Sequence, residues 1–154
     1  MAVQDETLDR FDRAILDVLA GDGRLPVTEL ARRIGLSKSP TQARLKRLEA
    51  AGVITGYRAL LDPIRLGRAH VVFVEVKLID TRESALAAFN RAVRGISEIE
   101  ECHLIAGSFD YLLKVRTADI QTYRQILAEK LSALPHVSST STYVAMQAVK
   151  DGTD

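Results

Sequence analysis

The apolar pattern of this 154-residue chain changes period near residue 60, and that change constrains the fold more than any other feature. Before it, Leu8, Phe11, Ile15 and Leu19 recur at steps of three and four, the stripe of an amphipathic helix. After it, HVVFVEVKLI (residues 70–79) sets Val72, Val74, Val76 and Leu78 on one side and Val71, Phe73, Glu75 and Lys77 on the other, the two-residue period of a strand. Two units are therefore expected, over residues 1–60 and 70–154, with a linker or hinge over 61–69. Hydrophobic residues make up 47% of the chain, so neither unit lacks apolar surface to bury. No apolar run approaches the roughly 18 residues that suggest a membrane span. The start, MAVQDETLDRFDR, is acidic and polar, unlike a secretory signal. A single cysteine, Cys102, excludes an intramolecular disulfide. A cytoplasmic protein without a membrane partner is expected.

The first unit reads as three short helices. Gly21 and Gly23 end the first, and Leu30, Ala31 and Ile34 mark a second after Pro26. Gly35 stops it, because glycine takes the left-handed conformation at little cost. Ser39 suits the N-cap of the third helix, Pro40 its first position and Gln42 the reaching partner of a capping box. This helix should run to about Ala51, with Gly52 as its stop. Two helices joined by a short turn at Gly35-Leu36-Ser37 form a helix-turn-helix. At 100° per residue, Thr41, Leu45, Leu48 and Gly52 share one side of the third helix, which would pack inward. Ser39, Pro40, Ala43, Lys46 and Arg47 share the other, with Gln42 and Arg44 on the margins. Small residues flanked by long basic ones suit entry into a major groove about 12 Å wide. Residues 53–61 then read as a strand forming a wing, with Arg58 available to a phosphate.

Charge supports the same reading. The chain carries a net charge of +1, yet residues 24–58 hold eight basic side chains against Glu29 and Glu49, a local +6. A basic block in a balanced protein suggests polyanion contact confined to one region. A solvated basic helix face with no partner fits the charges equally well.

The second unit reads as strand–helix–strand, twice. Asp80 and Glu83 are spaced as a cap and its partner for a helix carrying Leu86, Phe89 and Val93 and stopping at Gly95. A strand follows from about Ile99 to Ala106, a turn at Gly107-Ser108-Phe109-Asp110, and a strand from Tyr111 to Arg116. Asp119 caps a helix with Ile120, Tyr123, Ile126, Leu127 and Leu131 on one stripe, closed by Pro135; Val137 to Met146 is the last strand. The order βαββαβ belongs to a ferredoxin-like sandwich, so the fold class is α+β, a winged helix-turn-helix followed by a ferredoxin-like domain. One face of its sheet would be bare, and Val71, Phe73, Ile105 and Leu112 make it apolar. Such a patch marks an interface, and a homodimer formed sheet to sheet is expected. A one-residue error in register would swap the two faces.

No catalytic set emerges. His70, His103 and His136 lack metal-ligand spacing, and Cys102 has no partner cysteine. Cys102 and His103 are neighbours on a strand and so point to opposite faces. Glu98, Glu100 and Glu101, at a strand start, should face solvent. No phosphate-cradling glycine loop is present, and Gly107-Ser108-Phe109 lacks the spacing of a nucleophile elbow. No cofactor is expected.

The stretch LDRFDRAILDVLAGDGRLPVTELARRIGLSKSPTQARLKRLEAAGVITGY, residues 8–57, resembles the DNA-binding half of the leucine-responsive regulatory protein/AsnC family. IAGSFDYLLKV, residues 105–115, is similar to that family's Gly-x-x-Asp-Tyr-x-Leu segment. Within the family the likeness is to the activators of proline dehydrogenase. The resemblance implies a transcription factor that binds double-stranded DNA, responds to a small amino acid, and forms homodimers that join into tetramers, octamers or larger assemblies. It implies DNA-contacting roles for Ser37, Lys38, Ser39, Thr41, Gln42, Arg44, Lys46 and Arg47. It implies an effector site at Gly107, Ser108, Phe109 and Asp110, with His103 and Ile105 beside it and hydroxyls from the Ser139–Thr142 run. In chemical terms Asp110 suits the ammonium of an amino acid, and the N–H groups of Gly107 and Ser108 suit its carboxylate. Thr140 or Thr142 would add hydrogen bonds. For Asp110 a turn-former bonding nearby backbone is the competing role, and for the two threonines it is plain β propensity. Two other functions fit the pattern: a ferredoxin-like small-molecule binder or enzyme with a helical docking module, and an architectural DNA binder indifferent to ligands.

Overall fold

The computed structural model of the chain describes residues 8–151, so the acidic start before Leu8 and residues 152–154 lie outside it. Two compact units divide between Ala59 and Leu60.

The first unit holds α1 (Arg10–Gly21), α2 (Val27–Ile34) and α3 (Lys38–Ala50). Ile15, Leu30 and Leu48, one from each helix, are fully buried together, with Leu16, Leu19, Ile34 and Leu45 around them. Gly35 ends α2 at φ 74°, so any side chain there would be strained. Two expectations need correction. The N-cap of α3 is Ser37, not Ser39, and no side-chain capping bond forms. Pro40 still fits inside the first turn, because donors there have no intrahelical acceptor to lose. The first turn is held instead by the Thr41 hydroxyl, which donates to the Ser37 carbonyl at 2.9 Å. Residues 53–61 form no strand. The amides of Val53 and Ile54 bond the Leu48 carbonyl, and the Tyr57 hydroxyl donates to Glu49 at 2.8 Å. β-prone residues need a neighbouring ladder, and none is offered here.

The second unit begins with a hydrogen-bonded turn where a linker was expected: Arg68 N–H bonds the Pro63 carbonyl at 2.8 Å, and Asp62 accepts from Ile64 N–H. There follow β1 (His70–Leu78), α4 (Glu83–Arg94), β2 (Ile99–Leu104), β3 (Tyr111–Thr117), α5 (Ile120–Ile126) with a π-helical turn at Leu127–Leu131, and β4 (Val137–Val144). The strands form one antiparallel sheet in the order β2-β3-β1-β4. Val72, Val74, Val76 and Leu78 face α4 and α5 and are buried with Phe89, Val93, Leu113, Val115, Tyr123 and Leu131. The register is therefore the expected one. Asp119 caps α5 through Thr122 N–H. The cap expected at Asp80 is absent: the N-cap of α4 is Arg82, and Asp80 instead accepts from the Arg82 N–H and guanidinium. Ile120, assigned to the buried stripe, is 45% exposed at the first position of α5.

Candidate functional site

Burial sorts the side chains of α3 cleanly. Thr41 and Leu48 are fully buried, while Lys38, Ser39, Pro40, Gln42, Ala43 and Lys46 are exposed. Ser37, its N-cap, is exposed too. The exposed positions thus offer two ammonium groups, two hydroxyls, one amide and a methyl. Those are the side chains that bond phosphates and base edges. Thr41 is one exception among the expected DNA contacts, since its hydroxyl donates to the Ser37 carbonyl of its own helix.

Arg44 and Arg47 also depart from expectation. Both turn toward α1 rather than outward. Arg44 Nη1 lies 2.6 Å from Asp9 Oδ2 and 2.9 Å from Asp12 Oδ1, and Arg47 Nη2 lies 2.7 Å from the same Asp12 oxygen. Asp12 is 1% exposed. Its other oxygen accepts from Asp9 N–H, while Asp9 accepts from Phe11 and Asp12 N–H, a capping box made of two aspartates. The guanidinium of Arg44 also lies 5.4 Å from the centre of the Phe11 ring. Sequence reading missed this cluster, although Asp9-x-x-Asp12 ahead of an apolar stripe is a capping signal. Glu29 similarly holds Arg32 and Arg33 on α2, and their guanidiniums lower its carboxyl to about 2. Of the eight basic residues in the block, Arg24, Lys38, Lys46 and Arg58 form no ion pair among the described residues.

The acid pair makes the first unit sensitive to low pH. Asp9 is held below the ordinary carboxylate value by the Asp12 N–H and then by Arg44. For Asp12, burial opposes ionisation, but hydrogen bonds from Arg47, the Asp9 N–H and Arg44 outweigh it and the net shift is downward. A depressed carboxyl contributes stability above its unfolded value of about 3.9 and loses it as pH falls through the folded value. The urea midpoint of the first unit should therefore drop as pH falls from about 4. In Asp12→Asn the drop should be shallower, because one titrating group is gone. Circular dichroism across pH 2–5 checks this, and equal pH slopes in the two proteins would disprove it.

In the second unit, residues 105–110 close the β2–β3 hairpin. Ile105 N–H bonds the Asp110 carbonyl at 2.8 Å, and Asp110 N–H bonds the Val76 carbonyl at 2.9 Å. The Asp110 carboxylate accepts from Leu78 N–H at 2.7 Å, continuing the β1–β3 ladder by a side chain. One of its oxygens thus has a backbone partner, which is the competing role foreseen for it. Gly107 and Ser108 are exposed, and Phe109 and Asp110 half-buried. The expected effector residues do not all converge. His103 pairs with Leu112 on the sheet face away from the helices and lies 3.4 Å from Glu101. Thr140 and Thr142 pair with Val76 and Val74, so they share the helix-covered face and are separated from Asp110 by β1. Thr142 is already bonded to the Tyr123 hydroxyl at 2.6 Å.

The face away from the helices carries Val71, Phe73 and Leu112, with Ile105 at the hairpin turn, as expected. Glu75 and Lys77 share it as expected, and Lys114 and Arg116, paired with Phe73 and Val71, add charge that was not foreseen. Glu100 and Glu101 balance Arg116 and Lys114, and Glu98 pairs with Lys130, so none of the three is simply solvated. Residues 145–151 border this face and, with Phe73, Lys114 and Arg116, line an open cleft of about 830 Å³. Cys102 points the other way, pairing with Leu113, and burial pushes its thiol up to about 11. It is protonated at neutral pH and a poor nucleophile. Among the described residues no helix is long and apolar enough to cross a membrane.

Residues 71–154 match the Lrp/AsnC ligand-binding domain, and residues 8–55 match the winged helix-turn-helix DNA-binding family. The chain belongs to the Lrp/AsnC family. It is 62% identical over 144 residues to a proline dehydrogenase transcriptional activator of Rhodobacter capsulatus, covering 94% of each chain. It is 49% identical over 143 residues to the leucine-responsive regulatory protein of Escherichia coli K12, covering 93% of this chain and 87% of that one. A solved transcriptional regulator of Neisseria meningitidis in complex with L-methionine superposes with a TM-score of 0.90 at 33% identity, covering 96% of this chain and 95% of the other. This Lrp/AsnC protein is thus a DNA-binding transcriptional regulator with a ligand-binding domain, and not an enzyme. Its two matched domains coincide with the helical unit and the sheet unit.

Proposed function

We propose that this regulator reads duplex DNA through the outward face of α3 and is switched by a small amino acid bound at the 107–110 turn. The observation that carries the DNA half is the division of α3: Lys38, Ser39, Gln42 and Lys46 stand exposed while Thr41 and Leu48 are buried. Lys38 and Lys46, with Arg58 beyond the helix, supply phosphate contacts; Ser39 and Gln42 supply base contacts. Two copies joined through the sheet face away from the helices would present two such helices, one from each copy, to successive major-groove faces, which lie roughly 34–36 Å apart. Higher assembly, to tetramers or octamers, then uses other surfaces of the same unit. A protein acting on DNA in this way works in the cytoplasm.

Support for the ligand half is chemical. Gly107 and Ser108 leave backbone exposed at a tight turn, and Asp110 places a carboxylate beside them. Proline is the first candidate, because the relative from Rhodobacter capsulatus is named for activating proline dehydrogenase; methionine is the second, from the neisserial complex. Either amino acid regulates only through unequal affinity for two states of the protein.

A thermal-shift screen of the full chain across the amino acids tests this, since a ligand at 100 times its Kd stabilises the native state by about 2.7 kcal/mol. Asp110→Asn is the informative variant. It keeps an acceptor for Leu78 N–H but removes the charge that would meet the ammonium. Loss of the shift with DNA retention intact is expected. An unchanged shift for the responding amino acid would remove Asp110 from the site.

A further inference from the structure

The cluster joining α1 to α3 does more than hold two helices together. Asp9 and Asp12 bring two negative charges against the two positive charges of Arg44 and Arg47, at 2.6–2.9 Å. Both oxygens of Asp12 are occupied, one by Asp9 N–H and the other by the two guanidiniums. Such charge-assisted bonds orient as well as attract. They fix α3 about its own axis, because Arg44 and Arg47 lie one turn apart on the same side of the helix. They also cancel, within a few ångströms, half of the positive charge that α3 carries in Lys38, Arg44, Lys46 and Arg47. Binding driven by phosphate neutralisation is the same for every sequence. A helix stripped of that charge depends more on its base contacts.

We infer that Asp12 is a specificity-determining residue: it withholds Arg44 and Arg47 from the DNA backbone and sets the rotation at which Ser39, Gln42 and Lys46 meet the groove. Asp9 assists through Arg44. This rests on the reading that the outward face of α3 enters the groove, and the test keeps the two separable.

The measurement is the slope of log K against log salt for the full chain, on two duplexes. One is enriched by the protein itself from a random library; the other has a scrambled sequence. Lys46→Gln removes an outward charge and is expected to flatten the slope by about 0.9 per protomer. Arg44→Gln is expected to leave the slope on the scrambled duplex unchanged, because that charge is already neutralised. Asp12→Asn should steepen that slope by about 0.9 per protomer, bind the scrambled duplex more tightly, and narrow the ratio between the two duplexes. Asp12→Asn, Arg44→Gln combined should return the slope to its original value. Partial unfolding cannot mimic tighter binding, and the Arg44→Gln arm does not depend on the Asp12 variant folding. If Arg44→Gln flattens the slope as Lys46→Gln does, Arg44 lies on phosphate and the inference is wrong while the groove reading stands. If Lys46→Gln changes nothing, the groove reading fails and the inference fails with it.

Discussion

Replacing Phe73 by Asp is expected to turn the proposed sheet-to-sheet dimer into monomers. Phe73 sits in the middle of β1 on the side away from the helices, 37% exposed, with Val71 and Leu112 on the same face. It belongs to no buried core cluster of its own unit. In a two-fold interface the same residue is used twice. Fully burying a Phe side chain contributes about 1.5–3 kcal/mol; about a third of that remains for an interface to supply, so two copies contribute about 1–2 kcal/mol, or about one power of ten in Kd. The introduced carboxylate adds its own desolvation cost. Sedimentation at micromolar concentration should show the mass fall to that of one chain, with far-UV circular dichroism unchanged. A variant that sediments like the parent would place the assembly interface elsewhere, on the hairpin turns or along an edge strand.

The second large effect is on stability. Phe89→Ala should destabilise the sheet unit by about 3–5 kcal/mol, a large part of the roughly 5–15 kcal/mol that such a domain has. The ring is fully buried and stacks on Tyr111 with centroids 4.3 Å apart. Tyr111 in turn donates to Asn90 Oδ1 at 2.9 Å and follows Asp110 in the chain. A cavity at Phe89 therefore undermines the side of β3 that supports the 107–110 turn, and amino-acid binding should weaken along with stability. Urea unfolding followed by circular dichroism measures it, since the chain has no tryptophan to report. A loss below about 1 kcal/mol would mean that this site collapses freely, contrary to close packing.

Much of the fold is legible in the residues because it rests on local rules. The Leu8–Leu19 stripe, Gly35 and Asp119 each act within a turn or two of chain, and each does what its spacing dictates. The alternation in β1 chooses the buried face correctly, since Val72, Val74 and Val76 have only one side to hide. Local rules fail where two of them compete within one turn. Ser37 and Ser39 are both good caps, and Pro40 is acceptable at either spacing, so the first turn of α3 was ambiguous by two residues. They fail again at residues 53–61, where β propensity has no partner strand.

What the sequence determined by itself is the two-unit plan, the helix-turn-helix, the order of strands and helices, and the outward placing of Ser39, Pro40, Ala43 and Lys46 on α3. All follow from periodicity and from residues that start or stop an element. What the tertiary structure decided is which charges are spent and which remain. Arg44 and Lys46 are both cations of α3 expected to contact DNA, yet one meets Asp12 from a helix more than thirty residues earlier and the other meets no ion-pair partner among the described residues. Likewise Asp110 reads as a turn residue or a ligand group until Leu78, 32 residues away, claims one of its oxygens. Electrostatic and hydrogen-bond partners are chosen by distance in space, and a one-dimensional pattern carries that distance only within a helix turn or across a hairpin.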